Sequence, residues 1–147
     1  MVGSTGSFGN GNSDIYMVKT DSVGNYQWSK TYGGVYTDWG LSVEQTIDSG
    51  YVIAGYTNSF GSNDYDIYIV RTNSSGDSLW TKRYGSNGWD FGQAIKQTPD
   101  GGFILVGQIT NQSGTGKDAI LMKTDTLGDT LWTKTYGGTK DEIFNSI

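Results

Sequence analysis

The sequence predicts an all-β protein made of repeated four-stranded antiparallel sheets, and three observations predict it. First, one pattern recurs every 52 residues without an insertion. It carries Trp28, Trp80 and Trp132, then Asp14, Asp66 and Asp118, Gly24, Gly76 and Gly128, and Tyr32, Tyr84 and Tyr136. Second, each unit holds short apolar runs separated by turns rich in Gly, Asp and Asn, the residues that tight turns need. Third, the 147-residue chain has 23 Gly, 1 Pro and 14% aromatic residues, a composition suited to many short strands. A period of about 40–50 residues built from short strands is the mark of a β-propeller. The expectation is a propeller of 52-residue blades, about three of them here, forming an open segment or half of a six-bladed ring.

Each strand follows from the unit that spans Thr31–Lys82. Leu41–Thr46 reads as the first strand, and Ile47–Gly50 as a tight turn. Tyr51–Thr57 is the second strand, the polar stretch Asn58–Tyr65 a loop, and Asp66–Thr72 the third strand. Asn73–Gly76 turns the chain into the fourth strand, Ser78–Tyr84. Val52-Ile53-Ala54 and Ile67-Tyr68-Ile69-Val70 are continuous apolar runs. A half-exposed antiparallel strand alternates instead, so these central strands must be covered on both faces, as in stacked blades. Small residues at one phase (Ser42, Ala94, Ser146) suit an innermost strand, where blades converge.

The single segment 1–147 then divides into a partial blade at 1–34, blades at 35–86 and 87–138, and the start of another at 139–147. Met1 has the phase of Ile53 and Ile147 that of Val43, so the chain falls nine residues short of three units. Two expectations follow. The chain is a cut from a longer repeat array, with neighbouring blades of that array as partners. Alternatively, Asp141–Ile147 pairs with the opening segment of a second copy, and a homodimer completes six blades.

Composition excludes several function classes. Without His or Cys there is no Ser-His-Asp triad, thiol nucleophile, disulfide or Cys/His zinc site. A net charge of −5 with dispersed basic residues argues against nucleic acid, which needs clustered Lys and Arg. No run of 18 apolar residues occurs, so no helical membrane insertion is expected, and Met1–Ser4 lacks the features of a signal peptide.

Residues that recur in every unit build the unit; residues that differ between units are the candidates for binding. The recurring Trp, Gly and Tyr sets above are therefore structural, each indole wedging between sheets. Lys30, Lys82 and Lys134, with Lys19, Arg71 and Lys123, are expected at sheet edges, paired with recurring Asp residues. Asp38, Asp90 and Glu142 share one phase between blades. They either form a carboxylate ring that binds a ligand or accept backbone N–H groups of their loops. Asp14, Asp66 and Asp118 open third strands; Asn10/Asn12/Asp14 and Asp64/Asp66 have the alternate spacing of calcium loops. Calcium at Asp14, Asp64 and Asp66 is weighed against strand-start capping, and no other cofactor or metal is expected. Gly114–Lys117 fails as a phosphate loop, because Asp118 stands where Ser or Thr is required. Asn73-Ser74-Ser75 and Asn111-Gln112-Ser113 match the glycosylation pattern. Tyr36, Trp39, Trp89 and Phe91 lie in or beside the inter-blade loops and differ between copies, as binding residues on a fixed frame do.

With these motifs laid out, the repeat resembles the β-propeller repeats of secreted and cell-surface proteins of bacteria and archaea, including SBBP repeats and proteins exported by type IX secretion. The likeness rests on Asp100-Gly101-Gly102-Phe103, Ala54-Gly55-Tyr56-Thr57, Asp66-Ile67-Tyr68, and Lys19-Thr20-Asp21 through Trp28 to Tyr32-Gly33-Gly34. It implies a propeller fold and an extracellular or cell-surface setting. The Gly-x-x-x-Trp spacing (Gly24 to Trp28, Gly76 to Trp80, Gly128 to Trp132) is also similar to the tryptophan-docking motif of quinoprotein propellers. The Asp-to-Gly interval differs and no cofactor residues match, so that likeness implies shared packing only.

The function expected is a non-catalytic propeller module, a scaffold or adhesion surface for protein–protein interaction. The alternative is lectin-like carbohydrate binding through loop aromatics and acidic residues, with or without calcium. A glycoside hydrolase is a third reading; it needs two carboxyl groups at a set separation, and no acid stands out from the repeat.

Overall fold

In the computed structural model, which describes residues 1–61, 64–85, 87–111 and 116–147, every regular element is a β-strand. The first sheet holds β1 (Val2–Thr5), β2 (Asp14–Thr20) and β3 (Tyr26–Tyr32) in that order. The second holds β4 (Asp38–Gln45), β5 (Tyr51–Thr57), β6 (Asp66–Thr72) and β7 (Ser78–Tyr84). The third holds β8 (Phe91–Gln97), β9 (Phe103–Thr110), β10 (Lys117–Thr124) and β11 (Thr130–Tyr136). Strands follow one another across each sheet, and all pairs are antiparallel. Glu142–Ile147 contains no strand.

Strands β5, β6 and β7 have the bounds expected from the sequence. The first strand of that unit starts at Asp38 rather than Leu41. The cause is a bulge between Gly40 and Ser42, which keeps Asp38-Trp39-Gly40 in the ladder and leaves Leu41 39% exposed. Sheet three repeats it between Gly92 and Ala94.

The sheets stack, and the alternation along each central strand builds one core on either side of sheet two. Val52, Ala54, Ile67 and Ile69 meet Ile95, Phe103, Leu105, Ile120 and Met122 of sheet three. Tyr51, Ile53, Tyr68 and Val70 meet Ile15, Met17 and Tyr32 of sheet one. This is why β6 is buried at all seven positions.

One seam joins successive sheets and repeats with the period. Trp28 lies edge-on to Tyr51 at 5.8 Å, and its ring edge covers Gly76; Trp80 does the same with Phe103 (5.8 Å) and Gly128. The Tyr32 hydroxyl donates to the Gly76 carbonyl at 2.8 Å, and Tyr84 to Gly128 at 2.5 Å. Lys30 pairs with Asp77 at 2.9 Å and Lys82 with Asp129 at 2.6 Å. Gly76 and Gly128 have φ of 78° and 82°, a left-handed conformation that glycine adopts without penalty. Burial pushes the Tyr32 phenol up to about 12 and raises that of Tyr84 too, since the ionised ring would lose its solvation.

Candidate functional site

Strand ends and loops at one end of the sheets bring the varying residues together. Trp39 and Tyr56 are direct cross-strand partners on β4 and β5, and their rings stack 5.9 Å apart. Cross-strand aromatic pairs of this kind stabilise a sheet locally. Tyr56 also packs edge-on against Phe91 of β8 at 4.6 Å and against Tyr65 at 5.3 Å. Tyr65 continues the chain of rings to Trp89 at 5.6 Å and to Phe91 at 6.0 Å. The Lys117 ammonium sits 4.8 Å over Phe91 and 5.9 Å from the Trp89 ring, within cation–π range.

The result is a continuous aromatic surface spanning sheets two and three. Tyr56, Tyr65 and Phe91 form its half-buried floor. Trp39 and Trp89 stand on the floor with 41% and 52% of their surface exposed. Burial raises the Tyr56 phenol, with Tyr65 adding to the shift, so the Tyr56 hydroxyl stays neutral at physiological pH. Trp39, Trp89 and Phe91 are thus gathered as the sequence suggested. Tyr36 is exposed and makes no ring contact with them among the described residues. Tyr56, Tyr65 and Lys117 were missed. Their signal was available: Ser4, Tyr56 and Gln108 share a phase, as do Ser13, Tyr65 and Lys117, and both sets change in every unit.

The acidic candidates occupy a different layer. Asp38 and Asp90 are each 0% exposed. Asp38 Oδ2 accepts from the Gly34 N–H at 2.9 Å and the Ser59 hydroxyl at 2.6 Å; Asp90 Oδ1 accepts from the Thr110 N–H at 2.7 Å. Glu142 Oε2 accepts from the Gly138 N–H at 2.9 Å. These are loop-capping contacts, and they tie the loops that carry the rings.

Each of these acids also meets a strand-opening Asp across a glycine, a pairing that sequence reading missed. Asp14 and Asp38 each bring an oxygen within 2.5 Å of the point where a Gly33 β-carbon would stand. Asp66 and Asp90 come within 2.7 Å of the corresponding point at Gly85, and Asp118 and Glu142 within 2.8 Å at Gly137. Two oxygens sharing such a point are at most about 5 Å apart, near the spacing of a retaining glycosidase pair. Exposure decides against that use for the first pair: Asp14 is 2% exposed and Asp38 0%, so no sugar reaches them. In the second pair, Arg83 bonds Asp66 at 3.3 Å.

Of the candidate calcium residues, Asp14 accepts from the Gly11 N–H at 3.1 Å and Asp64 from the Gly88 N–H at 3.1 Å. Among the described residues, no three or more acidic side chains gather as a metal centre needs. Ser62 and Asn63 of the second candidate loop lie outside the described residues. So do Ser86 and residues 112–115, with half of the phosphate-loop look-alike and most of the second glycosylation triplet.

No protein-family model matches the chain. The chain is 26% identical over 163 residues to a regulatory protein, FlaEY, of Caulobacter vibrioides. That similarity takes in 93% of this chain and 17% of the relative.

Proposed function

We propose that the chain is a non-catalytic β-propeller module of a secreted or cell-surface protein, and that it works through the aromatic surface at its loop end. One observation carries the reading. In the two seams between the sheets the residues that recur every 52 positions are absorbed, while those that change between units form the ring cluster on which Trp39 and Trp89 stand exposed. Three similar sheets stacked in sequence support the propeller, because each seam repeats the last and so turns the array by a constant step. The buried Asp14/Asp38 pair supports a non-catalytic role. The relative is named for regulation, a task that a binding module serves without turnover. It is far longer than this chain, so the module reading concerns these residues and not the whole of a larger protein.

The partner class favoured first is a protein surface, since exposed Trp beside a cation is a common anchor at interfaces. A second reading, carbohydrate binding, is favoured by the two indoles: a flat exposed ring on a rigid floor suits the apolar face of a sugar. The test is an array of peptides, proteins and glycans probed with wild-type chain and Trp39→Ala/Trp89→Ala, with and without calcium. The expected result is a binding signal that falls at least tenfold in the variant. Hydrolysis of any glycoside that disappears in Asp38→Asn, or binding indifferent to both Trp residues, contradicts the proposal.

A further inference from the structure

The seams on the two faces of sheet two differ at one core position, and a cavity lies at the difference. Between sheets two and three is a cavity of about 220 Å³ whose walls include Ile67, Tyr84, Met122 and Ile120. One period earlier the same positions hold Ile15, Tyr32, Val70 and Tyr68. Those four pack together in the core between sheets one and two. Three of the positions keep their character from one seam to the next. The fourth is a tyrosine in the first seam and an isoleucine in the second. A six-membered ring that belongs to the first core therefore has an aliphatic side chain in its place in the second.

The polar end of that ring has its counterpart as well. In the first seam Tyr68 is buried, the Thr81 hydroxyl meets its phenol, and Asp38 lies close enough for its charge to act on the ring oxygen. Thr133 and Asp90 stand at the same positions one period on, and both line the cavity. The cavity thus has an apolar body of Ile67, Ile109, Ile120 and Met122 with a hydroxyl and a carboxylate added to it. Thr130 and Thr133, its lining residues on β11, are exposed, so a ligand can enter beside them. The volume suits one ring. An apolar cavity of about 150 Å³ admits benzene, whereas drug-sized ligands occupy pockets of about 300 Å³ or more.

We propose that the cavity between sheets two and three binds a free single-ring phenol, with its ring beside Ile120 and its hydroxyl against Thr133. The ring takes the place that the Tyr68 side chain takes one seam earlier. Its transfer from water to the Ile and Met wall supplies the affinity, and the Thr133 hydroxyl fixes which end points outward. The site lies between the sheets and is separate from the exposed indoles of the loop end. It stands whether or not those indoles bind a partner.

The probe is para-cresol, the tyrosine side chain as a free molecule, titrated into the full chain with isotope-labelled methyl groups. Saturable binding is expected, with a dissociation constant of about 1 mM or tighter, and with nuclear Overhauser contacts from the ring to the Ile120 and Met122 methyls. Thr133→Val should weaken para-cresol about two- to tenfold and leave toluene unchanged. Ile120→Tyr puts the chain's own ring into the cavity; it should abolish binding while keeping or raising the melting temperature. Trp39→Ala/Trp89→Ala should bind para-cresol as wild type does. The methyl contacts are read in the wild-type chain, so they decide the matter even if Ile120→Tyr does not fold. No saturation by about 10 mM para-cresol, ring contacts to Trp39 or Trp89 in place of Ile120 and Met122, or binding unchanged in a folded Ile120→Tyr chain overturns the proposal. N-acetyltyrosinamide that binds more tightly than para-cresol overturns it too, and makes the cavity a seat for a tyrosine of another protein. None of these failures touches the reading of the loop-end indoles, which Trp39→Ala/Trp89→Ala tests separately.

Discussion

Replacing Gly76 by Ala separates the cost of an unusual backbone from the cost of breaking a seam, because the same turn occurs elsewhere with nothing packed on it. Gly24 and Gly76 have φ of 89° and 78°, so a β-carbon strains both alike. That strain is worth about 1–2 kcal/mol. At Gly24 the new atom meets nothing within 4 Å, and the backbone term is the whole effect. At Gly76 it would stand 2.9 Å from Cη2 and Cζ3 of Trp28 and 3.0 Å from Cγ of Lys30. These are too close for a real contact, and the indole is pinned from its other side by Tyr51. Overpacking of this kind adds about 1–3 kcal/mol. The assay is urea unfolding followed by tryptophan fluorescence. Gly24→Ala is expected to lose about 1–2 kcal/mol and Gly76→Ala about 2–5 kcal/mol, with similar m-values. Equal losses would refute the claim that the turn glycine exists to seat the preceding indole.

Three further outcomes follow from the same contacts. Tyr32→Phe leaves the buried Gly76 carbonyl without its 2.8 Å donor and is expected to cost about 1–3 kcal/mol by denaturant titration. The share of stability that Tyr32 contributes should hold up to about 10.0, the ordinary phenol value, and fall as pH rises towards the value of about 12 that Tyr32 has in the fold. The sign is fixed because a raised pKa favours the protonated form of the native state; Tyr32→Phe should make that alkaline limb shallower, with the raised Tyr68 and Tyr84 phenols keeping the rest of it. Gly33→Ala would drive a methyl group between the Asp14 and Asp38 carboxylates, so its melting temperature should drop more than that of Gly3→Ala, where nothing lies within 4 Å.

Much of the fold was legible because the period is strict. Once Trp28, Trp80 and Trp132 fix the frame, apolar runs and Gly turns mark β5, β6 and β7 to the residue. The first strand was misjudged at Asp38 because Asp-Trp-Gly has turn chemistry, and a bulge cannot be seen in a pattern of alternation. The aromatic site was half legible. Trp39, Trp89 and Phe91 were legible as large rings beside the inter-blade turns, although Trp39 and Phe91 prove to lie in β4 and β8. Tyr56 hid inside a framework motif, although its phase partners Ser4 and Gln108 differ from it. The acid pairs were illegible, since Asp14 meets Asp38 only after two sheets stack and a glycine leaves room for both. Their burial is a product of that stacking, which no local pattern records.

The central claim is that recurring residues build this molecule and varying residues bind for it. Melting temperatures of Trp80→Ala and Trp89→Ala, measured side by side, test it most directly. Trp80 is half-buried between sheets, against Phe103 and Gly128, and its truncation should cost about 2–4 kcal/mol, or about 4–16 °C for a chain of this size. Trp89 is 52% exposed and should leave the melting temperature within about 2 °C of wild type. A Trp89→Ala chain destabilised as much as Trp80→Ala would make the loop aromatics part of the framework, and the account would be contradicted.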